Sequence, residues 1–154
     1  ARPDALQIAG MLGAGTAASS ALCLLLGRYW QAALYNPGGF GPEFKALYYP
    51  PAITAALALG AIALASGGPG YRTWAMICVL PLALAGVALV HARAQWRGQG
   101  KGWLIGFYVA WIFFDPVKLL VVFAAIADSW FKFRQRWTGK PGTEVSKHDT
   151  DEDQ

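Results

Sequence analysis

From Ala5 through Leu26 the chain carries no charged residue. At about 1.5 Å per residue, a helix of that length crosses a hydrocarbon core of about 30 Å, so the segment is expected to span a membrane. Two more charge-free runs follow, Leu47 to Ala65 and Thr73 to Val90. Pro50 and Pro51 open the first of these, where their missing backbone donors would be unpaired anyway. Pro81 lies inside the other and predicts a kink, which a membrane helix tolerates when neighbours satisfy the freed carbonyl. Core helices of a soluble protein would need charged outer faces, and these runs have none. Composition agrees, with 55% hydrophobic and 14% charged residues and a mean hydropathy of +0.34, against about 45–50% and about 25% in soluble domains. The expected fold is an all-α, polytopic transmembrane bundle with three full spans and a fourth apolar region.

That fourth region, Trp103 to Phe131, is interrupted by Asp115, Pro116 and Lys118. As one helix it would be about 43 Å long, with a carboxylate and an ammonium near the bilayer centre. As a hairpin broken near Asp115 and Pro116 it brings those charges toward a surface where water reaches them. Basic residues favour the hairpin. A single crossing divides the flanking Lys and Arg five to seven, whereas a hairpin divides them ten to two with Lys118 at the turn. By the positive-inside rule the richer side, which holds Arg93 and the C-terminus, is cytoplasmic. The expected location is thus the inner membrane of a bacterium. Residues 1–137 form the helical domain, and 138–154 are expected to be a disordered, acidic cytoplasmic tail.

Small residues suggest how the helices meet. Ala5, Ala9, Gly13, Ala17 and Ala21 recur every four residues, a smooth stripe on which another backbone can approach. Ala52, Ala56 and Gly60 repeat the pattern. Tyr29 and Trp30, Tyr48 and Tyr49, Trp74, Trp103, Trp130 and Trp137 mark the ends of the runs, at the level that amphipathic rings prefer. Between the first two runs Asn36, Pro37, Gly38 and Gly39 form a turn cluster in a surface loop. Cys23 and Cys78 lie in apolar stretches and are read as packing residues.

Few residues could carry chemistry. His91, followed by Arg93, ends the third run, where an ionisable group is a candidate site or a solvated boundary residue. Asp115 and Lys118 are spaced to pair on a helix, or Asp115 caps the next helix. Asp128 could meet Lys132, and Trp130 could lie under Arg134 for a cation–π contact, both at i,i+4. That geometry would anchor an exit helix at the headgroups. The alternative keeps Asp128 inside the bundle to bind something. There is no Walker loop, His-Glu-x-x-His or Gly-x-Ser-x-Gly motif, and only two histidines. No enzyme activity, metal or cofactor is therefore expected, and basic residues placed as membrane flanks argue against nucleic-acid binding.

Two stretches carry a family resemblance. One is Gly27-Arg28-Tyr29-Trp30-Gln31-Ala32-Ala33-Leu34-Tyr35-Asn36-Pro37-Gly38-Gly39-Phe40 followed by Glu43-Phe44-Lys45-Ala46-Leu47, and the other is Asp128-Ser129-Trp130-Phe131-Lys132-Phe133-Arg134. Together they resemble the proteobacterial branch of the YybS-like integral membrane proteins, a family of unknown function. Lys132 stands where the resemblance implies an acidic residue. Such proteins have more spans, which implies that this chain is similar to the C-terminal half of one and that the other half is a partner. The chain begins at Ala1 rather than Met, as a processed or excised chain would. A distant likeness to membrane substrate-binding subunits of vitamin transporters implies a non-catalytic role in small-molecule uptake, with Thr16, Ser19 and Ser20 as polar contacts. The competing expectation is a structural or assembly partner that binds another membrane protein through small-residue faces such as Ala9, Gly13 and Ala17. A pocket with convergent polar groups would favour uptake, and a packed bundle with an exposed small-residue groove would favour assembly.

Overall fold

A computed structural model describes residues 3–138. The expected tail, apart from Thr138, lies outside the described residues. Among those described the chain is all helical: α1 (Ala5–Tyr35), α2 (Phe40–Lys45), α3 (Pro51–Ser66), α4 (Pro69–Trp96), α5 (Lys101–Phe113), α6 (Asp115–Phe131) and α7 (Phe133–Thr138). Two of these, α1 and α4, are long and apolar enough to cross a membrane. The 16-residue α3 is a shorter apolar helix, about 24 Å long.

Each boundary has a local cause. Asp4 caps α1 by accepting from the Gln7 amide at 2.7 Å, while the Gln7 side chain accepts from the Asp4 amide at 3.2 Å. The helix runs two turns beyond the charge-free segment and stops at Asn36. Gly38 then takes a left-handed φ of +87° that a side chain would resist. Pro51 and Pro69 each open a helix at its first position. Pro81 lies within α4 without ending it.

The fourth apolar region is two helices. Phe114, in extended conformation, separates α5 from α6, and the pair is bent by 114°. The two arms fold back: Tyr108 of α5 reaches His91 near the end of α4, and Ser129 of α6 reaches Tyr49 before α3. Asp115 and Lys118 pair at 2.7 Å at the bend, with the Asp115 side chain 90% exposed. Of the two roles expected for Asp115, pairing is the one adopted, and its side chain caps no helix.

Helix α4 is the hub, packing against α1, α3 and α6. Its buried residues Leu82, Ala85, Gly86, Ala88 and Leu89 are mostly small, which lets three neighbours close on one rod. At Gly86 a Cβ would sit about 3.0 Å from the Val121 carbonyl carbon of α6. At Gly10 it would sit about 2.9 Å from both Thr73 Cβ and Trp74 Cδ1. The α1–α4 crossing is tied further by the Trp74 indole N–H, which donates to the Leu6 carbonyl at 3.1 Å.

The expected stripe on α1 is corrected in part. Gly13 and Ala17 are half-buried and Gly13 faces Ile77, but Ala9 is exposed and Gly10 takes its place. A strict four-residue repeat rotates about 40° per step on a helix of 3.6 residues per turn, so it drifts off a straight contact line. The same drift exposes Ala52 and Ala56 of α3, while Thr54 is buried and Gly60 meets Cys78.

One surface contact fixes α2 beside the end of α1. Arg28 Nε donates to Glu43 Oε2 at 2.7 Å, and its terminal nitrogen reaches the other carboxylate oxygen. The guanidinium hydrogen bond holds the Glu43 carboxyl below its ordinary value. A depressed carboxylate pKa stabilises the fold above the ordinary glutamate range, and that contribution is lost as pH falls through the folded value. Protection of the Phe40–Lys45 amides from hydrogen exchange, taken relative to the intrinsic rate at each pH, should therefore fall below the ordinary glutamate pKa. Glu43→Gln should make that protection low and flat across that window. An unchanged pH profile in the variant would disprove the link.

Candidate functional site

The buried polar groups gather at one end of the bundle, where α6, α7, the start of α3 and the α2–α3 connection meet. Thr54, Asp128 and Ser129 are 1%, 2% and 2% exposed. Buried hydroxyls and carboxylates need partners, because each lost hydrogen bond to water must be replaced. Here the replacements come from the chain itself. Ser129 Oγ lies 2.8 Å and Thr54 Oγ1 3.4 Å from the Tyr49 carbonyl, and the two hydroxyls lie 2.7 Å apart, so that one donates to the carbonyl and the other to its fellow hydroxyl. The Tyr48 hydroxyl donates to the Ser129 carbonyl at 3.2 Å.

Asp128 and Arg134 form the charged half of the cluster. Lys132 ends α6 in the left-handed conformation, φ +50°, unusual for a side chain of its size. That one residue turns the chain so that α7 folds back over the end of α6. The Arg134 amide then donates to Asp128 Oδ1 at 3.3 Å, and Nε pairs with Oδ2 at 2.9 Å. The guanidinium has further acceptors: Nη1 donates to the Lys45 and Leu47 carbonyls at 2.6 and 2.7 Å, and Nη2 to the Ala85 carbonyl at 3.0 Å. A planar fork of five donors on three nitrogens can reach acceptors that lie apart, whereas lysine offers three donors on a single nitrogen. Burial lowers the Arg134 pKa, and the Asp128 charge and hydrogen bond oppose it. One side chain thus joins α7, α6, α4 and the segment before α3.

The expected pairings are corrected here. Asp128 does not meet Lys132 in a hydrated surface pair; it is buried and turns to Arg134. Trp130 is 62% exposed, and the Arg134 guanidinium lies on backbone carbonyls instead of on that ring. Both expectations assumed an unbroken helix past Phe131, and the left-handed Lys132 breaks it.

The cation–π contact belongs to Arg93. Its guanidinium lies 4.8 Å from the Trp96 ring centroid and 4.6 Å from that of Trp137, tying α4 to α7. His91 stands apart from Asp128. Its Nδ1 contacts the Val87 carbonyl at 2.9 Å and can only donate there, leaving Nε2 to accept from the Tyr108 hydroxyl at 3.3 Å. Phe44 packs edge-on against the same ring. Four of the five residues singled out in the sequence therefore fall in three places: Asp128 with Arg134, Arg93 with Trp96 and Trp137, and His91 with Tyr108. Trp130 joins none of them.

Sequence reasoning missed Thr54, Ser129 and Tyr48. Thr54 is a lone hydroxyl in an apolar run, and Ser129 follows Asp128, but only the fold brings them together. A cavity of about 190 Å³ opens beside the cluster, lined by Tyr48, Asp128, Lys132 and Arg134. Thr16, Ser19 and Ser20, expected as polar contacts to a substrate, are exposed on α1 with Gly15 and Cys23, along a shallow groove. Neither a protein-family model, nor a curated protein, nor a solved structure matches this chain.

Proposed function

We propose that this chain is a non-catalytic component of a bacterial inner membrane whose working surface is the outward face of α1, on which a transmembrane helix of a partner protein packs. In this reading α1, α3 and α4 cross the bilayer, α5 and α6 enter and leave from one side, and the C-terminus is cytoplasmic. Run length and the ten-to-two division of basic residues support that topology. The observation that carries the functional reading is the state of α1. Of its 31 residues only Gly10 and Ala32 are buried, and the face turned away from α4 offers Gly15, Thr16, Ser19, Ser20 and Cys23. Lipid chains gain little from glycine and hydroxyl groups. A second helix gains close backbone approach and hydrogen bonds there.

A photo-reactive amino acid at Ser19 should form one discrete protein adduct in native membranes, and one at Leu24 should give lipid adducts only. Gly15→Leu should abolish the Ser19 adduct while leaving the bundle folded. Lipid adducts alone at Ser19 would sink the reading.

The resemblance to YybS-like proteins supports a second reading, a role in small-molecule uptake as part of a longer protein. The cavity beside Asp128 and Arg134 favours it, since polar groups converge there. At about 190 Å³ it is smaller than the roughly 300–1,000 Å³ of ordinary ligand pockets, and both charges are already paired. Packing is therefore the preferred function.

A further inference from the structure

Charge is distributed very unequally between the two ends of this bundle. At the end where α4 finishes, the acidic groups among the described residues are Glu43 and Asp128, and each is ion-paired, with Arg28 and Arg134 respectively. Lys45, Arg93, Arg97, Lys101, Lys132 and Arg136 lie at the same end with no carboxylate partner among the described residues. The opposite end holds Asp4 and Arg72, and the bend between α5 and α6 holds the Asp115–Lys118 pair.

This excess surrounds a groove between α2, the end of α4 and α7, lined by Pro42, Lys45, Ala92, Gln95, Trp96 and Arg134. Its chemistry is divided. Lys45 Nζ, held at 2.8 Å by the Gln95 side-chain oxygen, supplies a positive charge with further donors. Trp96, half exposed and braced by Arg93 and Trp137, supplies an apolar wall. Arg134 forms the base and has its guanidinium turned onto carbonyls.

We propose that this groove holds the headgroup of an anionic phospholipid, its phosphate on Lys45 and its glycerol and upper acyl carbons along Trp96. Three observations converge. The groove lies among aromatic side chains at the bundle end, where lipid headgroups sit. Of its two cations, Arg134 is paired with Asp128, and Lys45 has no acidic partner among the described residues. Its lining changes from cationic to apolar within one side chain, as a lipid does from phosphate to acyl chain. Basic pockets between membrane helices take anionic headgroups for these reasons. The site is separate from the outward face of α1, so the two proposals stand or fall independently.

Native mass spectrometry of the full chain, delipidated and then given equal phosphatidylglycerol and phosphatidylcholine, tests the assignment. Phosphatidylglycerol should be retained several-fold in preference. Lys45→Gln should reduce that preference by about 5-fold, the weight of one basic residue beside an anionic lipid surface, and Arg72→Gln at the far end should leave it unchanged. Should Lys45→Gln fail to fold, the wild-type chain gives a second reading in nanodiscs: competition between the two lipids should lose its selectivity at about 1 M salt, where the screening length falls to about 3 Å. Equal retention of the two lipids by the wild type would overturn the proposal. So would an undiminished preference in folded Lys45→Gln, or one that survives high salt. A preference that emerges only after deletion of residues 139–154 would also overturn it, by assigning the groove to the acidic tail.

Discussion

Arg134→Ala is expected to destabilise the bundle by about 3–5 kcal/mol, the usual cost of stripping one partner from a buried ion pair. The substitution leaves the Asp128 carboxylate 2% exposed without its counter-charge and withdraws the donors that serve the Lys45, Leu47 and Ala85 carbonyls. Asp128→Ala should cost less, because the guanidinium keeps those three carbonyls. Combining the two should therefore be milder than adding them. Exchanging the residues, Asp128→Arg with Arg134→Asp, should not restore stability, since the carbonyls need donors that only position 134 can deliver. Denaturant titration in mixed micelles, followed by circular dichroism, measures all four. A fully stable exchanged pair would show that charge neutralisation alone matters and would remove the clasp role from Arg134.

Gly86→Leu should separate α6 from α4, with a loss of about 3 kcal/mol or more at the upper end of overpacking costs. The first added carbon already falls inside contact distance of the Val121 backbone, and backbone cannot rotate away as a side-chain tip can. Gly86→Ala should show the same effect at about 1–3 kcal/mol. Val121→Ala in the same chain should relieve it only in part, because it removes the Cγ1 contact and leaves the carbonyl. Complete rescue would mean that side-chain volume sets the α4–α6 distance, contrary to this account.

The apolar rods were legible in the sequence because membrane crossing imposes a simple rule, a long run without charge. The break at Asp115 was legible for the same reason, since a charge beside a proline violates the rule. The Asp128 partner was not. Pairing Asp128 with Lys132 follows from uninterrupted helical periodicity, and no glycine or proline between Asp128 and Arg136 announces the stop at Phe131. A left-handed lysine has no sequence signature, so the return of Arg134 appears only in three dimensions. The contact of Arg93 with Trp96 did have a signal, the i,i+3 spacing on one helix, but its second ring, Trp137, arrives through the same unannounced turn. Thr54 and Ser129 were hidden by distance, 75 positions apart in the chain. On α1 the small residues were visible, but the repeat of four overstated how straight a contact line can be.

The packing of α1 on α4, its sequence-distant neighbour, bears on how the chain is made. More than 30 residues separate the end of α1 from the start of α4. At about 5–20 residues per second, a ribosome needs several seconds to produce the surface on which α1 will rest. A helix of this length and apolarity can rest in lipid through that interval on its own hydrophobicity, with α2 joined to its end by Arg28 and Glu43. Its independence during synthesis and its bare outward face in the finished bundle are then one property, a helix that can reside in the bilayer before it has neighbours.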